Sequence, residues 1–393
     1  MSFDTLGLQA ELLRAVSDQG YDSPTPIQAQ AIPAVLSGSD VMASAQTGTG
    51  KTAAFVLPVL QRLGGQRPTP HRIRTLVLTP TRELAVQVME SARTYGRHLS
   101  LRSTAVYGGV NIGAQFKDLK RTPDILVATP GRLIDHMTRG TVDLSGVEML
   151  VLDEADRMLD MGFMPAIERI VSALPKQRQT LLFSATFSAT ITKLARRFLN
   201  EPQVIETARP NAAADDVAQT AYLVDAHRKR ELLTHLMAEH DWRQVLVFTR
   251  TKRGADRLAK QLEQEGIRSA AIHGNKTQSA RTKALTAFKR RSVRALIATD
   301  VAARGIDIDD LPYVVNYDIP DNPEDYVHRI GRTGRAGQSG SAVSFVGGEE
   351  KGSFAGIRRL LDGRVQAEIL AGFEPSRETR AAREAQPRRG RPS

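Results

Sequence analysis

A chain of 393 residues is too long for one ordinary core, so length alone predicts two domains. Its 54 Lys and Arg against 43 Asp and Glu leave a formal +11, a mild pull towards a polyanionic partner of unstated kind. The absence of Cys excludes disulfides, thiolate metal sites and cysteine nucleophiles, and the eight His show no zinc-like pairing. Met1 to Arg14 carries Asp4 and Glu11 and no apolar h-region, so no signal peptide is expected. No apolar run approaches the ~20 residues that span a bilayer, and a cytoplasmic protein without a membrane partner is the expectation.

Phe3 to Arg14 has helical spacing, with Leu6, Leu8, Leu12 and Leu13 available for one face. Pro24 and Pro26 then set a rigid turn from which Gln28 opens the next helix. Asp40 to Ser44 reads as a short buried strand. It runs into Ala45-Gln46-Thr47-Gly48-Thr49-Gly50-Lys51-Thr52, and Thr52 to Leu63 is apolar enough for a helix packed on a sheet. This is the pattern of a phosphate-binding loop: the glycines let backbone N–H groups turn towards an anion, and the helix that follows faces the anion with its positive end. Lys51 would reach the β and γ phosphates and the Thr52 hydroxyl would hold Mg²⁺. A Gly/Thr surface loop ahead of a helix is the alternative.

Further apolar runs at Thr75 to Leu78, Asp124 to Ala128, Glu148 to Leu152 and Thr180 to Phe183 alternate with helical stretches, the signature of a parallel sheet with crossover helices. The polar clusters Thr79-Pro80-Thr81-Arg82, Thr129-Pro130-Gly131-Arg132, Asp153-Glu154-Ala155-Asp156 and Ser184-Ala185-Thr186 each follow a strand, on the edge where open α/β sheets bind ligands. Asp153 is placed to hold the metal and Glu154 to deprotonate the attacking water, against the alternative of an acidic helix cap.

Domain boundaries are expected at 1–206 and 217–373, with a linker at 207–216 and a disordered basic tail at 374–393, where six Arg, three Glu and three Pro leave nothing to bury. The second half repeats the alternation, with strands at Gln244 to Phe248, Ser269 to Ile272, Ala295 to Ala298, Tyr313 to Asn316 and Ser341 to Phe345, but contains no second phosphate loop. His328-Arg329-Ile330-Gly331-Arg332-Thr333-Gly334-Arg335 reads as a solvated basic helix end or as arginines delivered to a γ-phosphate held by the first half.

Taken together and in order, these motifs resemble those of DEAD-box RNA helicases of superfamily 2, of the bacterial RhlE type, over nearly the whole chain. The resemblance implies an α/β fold of two RecA-like domains in tandem, each a mostly parallel sheet with helices on both faces. It implies an ATP- and Mg²⁺-using enzyme that locally unwinds short RNA duplexes or remodels RNA–protein complexes, with an ATP-gated clamp or annealing factor as the alternative. Gln28 then reads the adenine edge and Phe3 stacks on the ring; Thr47, Gly48, Thr49 and Gly50 join Lys51 and Thr52 around the phosphates, and Asp307 contacts the ribose. Arg332 and Arg335 correspond to arginine fingers, Ser184 and Thr186 to the coupling motif, His328 and Arg329 to interdomain contacts. RNA-facing positions are Pro80, Thr81, Arg82, Gly108, Gly109, Thr129 and Arg132, then Arg250, Gly274, Gln278, Arg281 and Thr299. Ribosome assembly or RNA turnover is the implied setting. Aromatics at 5% are too few for a base-stacking platform, which agrees with sequence-independent contacts to the RNA backbone.

Overall fold

Short strands rich in Val, Leu and Ile and buried along their whole length need apolar cover on both faces, and the central strands of both sheets have it. The computed structural model describes residues 2–45, 49–64, 72–185, 187–207, 217–303, 311–334 and 340–381, and divides the chain into two compact units, Met1–Pro210 and Asn211–Ser393. The first holds β1 (Val41–Ser44), β2 (Thr75–Leu78), β3 (Ser103–Val106), β4 (Ile125–Ala128), β5 (Met149–Leu152), β6 (Gln179–Ser184) and β7 (Gln203–Glu206). They form one sheet in the order β3-β4-β2-β5-β6-β1-β7, every pair parallel. Along β5, Met149 and Val151 face a core completed by the helices Pro26–Leu36, Lys51–Gly64 and Arg82–Tyr95. Leu150 and Leu152 face the opposite core, under Pro130–Thr138, Met164–Ser172 and Ala189–Phe198.

The second unit repeats the plan with β8 (Val217–Leu223), β9 (Val245–Phe248), β10 (Ser269–Ile272), β11 (Ala295–Ala298), β12 (Tyr313–Asn316), β13 (Gly340–Val346) and β14 (Ala367–Glu368). Their order is β10-β11-β9-β12-β13-β8-β14, again all parallel. Val245 and Val247 pack under Lys229–Glu239 and Lys252–Gln264, while Leu246 and Phe248 pack with Phe288 on the other face. Among the described residues no helix is long and apolar enough to cross a membrane.

Three expectations change. The amphipathic start is two elements, a 3₁₀ turn Phe3–Leu6 and a helix Ala10–Ser17, because Gly7 adopts a left-handed backbone at φ 78° between them. Strands β3, β7, β8 and β14 carry no continuous apolar run and go unread in the sequence. They lie at or next to the sheet edges, where residues alternate in burial or stay exposed.

The tail expected to be disordered from Glu374 is ordered as far as 381. Ser376 donates its backbone N–H (3.0 Å) and hydroxyl (2.9 Å) to Asp225, the Thr379 hydroxyl donates to the same carboxylate, and a helix runs over Arg377–Ala381. Polar capping at one half-buried Asp, which composition does not register, supplies this order. The preceding Phe373 is buried under the Arg228 guanidinium, 4.6 Å from its ring centre. Residues 382–393, and the expected linker beyond Thr207, lie outside the described residues.

Candidate functional site

The carboxyl edge of the first sheet gathers the phosphate loop and the acidic turn. β1 leads into Ala45, whose N–H donates to the Ser184 carbonyl at the end of β6 (3.2 Å). Gly50 has φ +88°, and a Cβ there would collide with the Gln28 side-chain amide, so only glycine fits. Gln28 is fixed on both sides: its Nε2 donates to the Gly50 carbonyl (3.2 Å) and its Oε1 accepts from Thr25 N–H (3.0 Å), closing a capping box on the helix Pro26–Leu36. Lys51, first residue of its helix, is 7% exposed, and its Nζ has no hydrogen-bond partner among the described residues. Thr49 and Thr52 flank it half-buried. Phe3 is elsewhere in character: it is buried in the core with Leu6, Leu8 and Leu12.

Asp153 follows β5 and is 3% exposed. Burial pushes its carboxyl up to about 7, the neighbouring Glu154 adds to this, and the Lys51 ammonium pulls the other way. Glu154 sits in the left-handed region at φ 52° and ψ 52°, a strained conformation for a residue with a Cβ, with its Oε2 3.4 Å from Arg157 Nε. Asp156, not among the residues picked from sequence, does the tying. Its Oδ1 accepts from Arg157 N–H (3.0 Å) and its Oδ2 from Ala185 N–H (3.0 Å). Ser44 Oγ donates to the Ala185 carbonyl (3.3 Å). Ser184-Ala185 is thereby bonded to both the phosphate-loop strand and the acidic turn. The recurrence of Asp at the third position after Asp153 was the available signal.

On the same edge Pro80 and Thr81 are buried, and Thr81 caps the helix Arg82–Tyr95 through Leu84 N–H (3.3 Å). Gly109, at φ +80°, leaves room for the Arg82 guanidinium that a side chain would displace, with Gly108 half-buried beside it. Thr129 caps the helix Pro130–Thr138 with its backbone N–H on Val106 O (3.0 Å). Arg132 is engaged inside the unit: Nη1 donates to Gln115 Oε1 (2.8 Å) and Nη2 to Val110 O (3.0 Å), which anchors the loop after Gly109. Gln115, unremarked in the sequence, also meets the buried His136, whose pKa burial and then Arg132 hold below the usual imidazole value.

In the second unit the candidates again follow strands. Arg250, after β9, donates its backbone N–H to Asp318 (2.8 Å) and Nη2 to Ile319 O (3.2 Å), with the buried Glu350 carboxylate 3.6 Å away. Glu350 also accepts from Lys229 Nζ (2.6 Å) and from the backbone N–H of Ile319 (3.0 Å) and Gly347 (2.8 Å). Gly274 follows β10 beside Lys252; Gln278 opens the helix Gln278–Lys289 with its Oε1 buried and without a hydrogen-bond partner; Arg281 and Thr299 are buried.

Arg329 and Arg332 are 2% and 5% exposed, so this segment is no solvated helix end. Arg329 forks onto Asp300 (2.6 and 2.8 Å), donates Nη1 to Asn316 (3.1 Å) and Asp318 O (2.6 Å), and lies over the Phe248 ring. Its guanidinium thus serves contacts within its own unit. His328 is half-buried on the same helix.

A family model described as DEAD/DEAH box helicase matches residues 25–194, and one described as helicase conserved C-terminal domain matches residues 228–337. The DEAD-box ATP-dependent RNA helicase CshA of Bacillus subtilis is 44% identical over 359 residues, 91% of this chain and 72% of that protein. The chain belongs to the DEAD-box ATP-dependent RNA helicases.

The ATP-dependent RNA helicase DeaD of Escherichia coli is a further relative, 46% identical over 361 residues; these are 92% of this DEAD-box chain, which spans only 57% of DeaD. Among solved structures, S. cerevisiae Dbp5 bound to RNA and ADP BeF3 matches with TM-score 0.83 at 31% identity, covering 94% of this chain and 95% of that one. Mss116p bound to ssRNA and AMP-PNP matches with TM-score 0.86 at 29% identity, covering 97% and 81%. Both units thus carry the RecA-like fold of the DEAD-box family. Of the DEAD-box positions assigned from sequence, Thr47, Gly48, Thr186, Asp307 and Arg335 lie outside the described residues.

Proposed function

We propose that this protein is an RNA-dependent ATPase that locally unwinds short RNA duplexes or remodels RNA–protein complexes, coupling hydrolysis to opening and closing of its two units. One observation carries the reading: the buried Lys51 ammonium, without a hydrogen-bond partner among the described residues, is close enough to the Asp153 carboxyl to oppose its pKa shift. A buried cation in that state is costly unless an anion completes it, and a nucleotide triphosphate is the anion that this loop is shaped for. The names of the relatives, and the RNA and nucleotide bound in the solved neighbours, support the same substrates.

The donor set suits Mg²⁺. Thr52 offers a hydroxyl and Asp153 a carboxylate in a buried setting, with phosphate and water oxygens left to complete an octahedron. When bound, the ion neutralises charge on the phosphates. Glu154 is the base that takes the proton from the attacking water, and the strained turn that carries it is held by Asp156. Gln28, fixed by Thr25 and Gly50, presents an amide edge to adenine. Arg332 and Arg335 are the candidates to neutralise charge on the transferring phosphoryl group when the units close.

RNA is held through backbone groups by the loops at the carboxyl edges of both sheets. Action in the cytoplasm, on ribosomal precursor particles or with the RNA turnover machinery, belongs to the same proposal and rests on the bacterial origin of the named relatives. The test is steady-state ATPase with and without RNA, run beside strand separation of a short RNA duplex. Turnover that rises with RNA and keeps step with separation is expected; ATPase indifferent to RNA would overturn the reading.

A further inference from the structure

At the amino edge of the first sheet, opposite the nucleotide loops, lies a depression of about 510 Å³ lined by Arg93, Arg102, Arg121, Ser103, Thr104 and Asp118 among others. Among the described residues none of these three arginines forms an ion pair, although Arg74, Arg132 and Arg157 of the same unit each do. Main-chain carbonyls orient two of them instead: Arg93 Nη2 donates to Ser103 O (3.1 Å) and Arg102 Nη1 to Arg121 O (3.3 Å). The nearby Asp124 carboxylate is engaged by Arg102's own backbone N–H (2.9 Å). Three Arg against one Asp leave the lining at +2, and the exposed Lys117 and Lys120 extend the positive face.

Strand β3 is the edge of its sheet, ordinarily a template for an added peptide strand. Arg93 closes the Ser103 carbonyl on that side, so strand addition would have to break a bond already made. What stays available is guanidinium N–H groups in preset orientations, which match the oxygens of a phosphodiester. The path to them is short. The helix Ile112–Leu119 begins just after Gly108-Gly109 and ends beside Arg121, and its eight residues span about 12 Å. That is on the order of four phosphates at roughly 3.4 Å each along a duplex strand.

We propose that this depression is a second RNA-backbone site, taking the phosphates of a strand that has already engaged the loops of Arg82 and Gly109. The inference rests on the RNA-directed reading above. It extends the footprint on the first unit and makes affinity depend on strand length.

Full-length parent, Arg102→Gln/Arg121→Gln and Arg121→Glu are compared on single-stranded RNAs of about four and about thirty nucleotides over a range of salt. Arg121→Glu removes a side chain that holds nothing in the fold, so it keeps the test valid if the double variant folds poorly. For the long strand, the double variant should bind roughly five- to tenfold more weakly and lose about 1.4 from the log–log salt slope, two contacts at about 0.7 each. Arg121→Glu should lose long-strand affinity too. The short strand and the maximal ATPase should be unchanged in both. An unaltered salt slope and affinity for the long strand would overturn the proposal, as would polyglutamate binding the parent but not the double variant while long RNA binds both equally, which points to an acidic protein ligand. A parent whose ATPase ignores RNA sinks the helicase reading and this proposal together; a stimulated parent with indifferent variants sinks this proposal alone.

Discussion

Lys51 is buried at a cost, because its Nζ has no hydrogen-bond partner among the described residues. Function and stability therefore oppose each other at this residue. Lys51→Met should eliminate ATP binding and RNA-stimulated turnover, yet raise the stability of the free protein by about 1–3 kcal/mol, the usual penalty for an unsatisfied buried polar group. Thermal melts with and without Mg-ATP check both halves: nucleotide should raise the parent's Tm and leave the variant's unmoved. A variant less stable than the parent would show that Lys51 has partners in the free state. Glu154→Gln keeps the shape of the acidic turn but removes the proton acceptor, so hydrolysis should fall by at least roughly 10²-fold while ATP and RNA still bind. Single-turnover hydrolysis near the parent rate would remove Glu154 from the role of base.

At the scale of elements, the C-terminal helix Arg377–Ala381 depends on one carboxylate. The Thr379 hydroxyl, then Ser376, hold the Asp225 pKa below the usual carboxylate range. A depressed folded-state pKa contributes stability above the unfolded-state value, and that contribution disappears as pH falls through the lowered folded value. Asp225→Ala should therefore be less stable than the parent near neutral pH, and the two urea midpoints should converge in acid below about pH 4. Tryptic cleavage after Arg377 and Arg380 should also be faster in the variant. Midpoints that differ equally at every pH would show that the charge on Asp225 is irrelevant to docking.

For the molecule as a whole, the proposed function makes turnover depend on Arg332 of the second unit as well as on the nucleotide loops of the first. Arg332→Ala should lower RNA-stimulated ATPase by roughly 10³-fold or more, the range seen when a transition-state arginine is lost. Binding of Mg-ATP, read by a fluorescent nucleotide analogue, should stay within a few-fold of the parent. Equal losses in binding and turnover would instead make the buried Arg332, whose carbonyl accepts from Leu311 N–H (3.1 Å), a structural residue.

Much of this plan is written in contiguous residues. Gly50-Lys51-Thr52, Asp153-Glu154 and the apolar four-residue strands ahead of them are legible because anion binding, general base catalysis and two-sided burial each demand particular residue types at neighbouring positions. Gly50 is the clearest case: the loop needs glycine, and the fold shows the Gln28 amide in the place of its missing side chain. The supports are different in kind. Asp156 meets Ala185 from 29 residues away, Lys229 meets Glu350 from 121, and Arg132 is drawn to Gln115 and Val110. Similar arginines also diverge: Arg329 is absorbed by Asp300, Asn316 and Asp318, whereas Arg93, Arg102 and Arg121 are left without a carboxylate. Local chemistry by itself determined which loops are candidates to bind. Which charges are already satisfied, and which remain to meet a ligand, only the tertiary structure decided, because a charge is neutralised by what lies near it in space and the chain order does not state that distance.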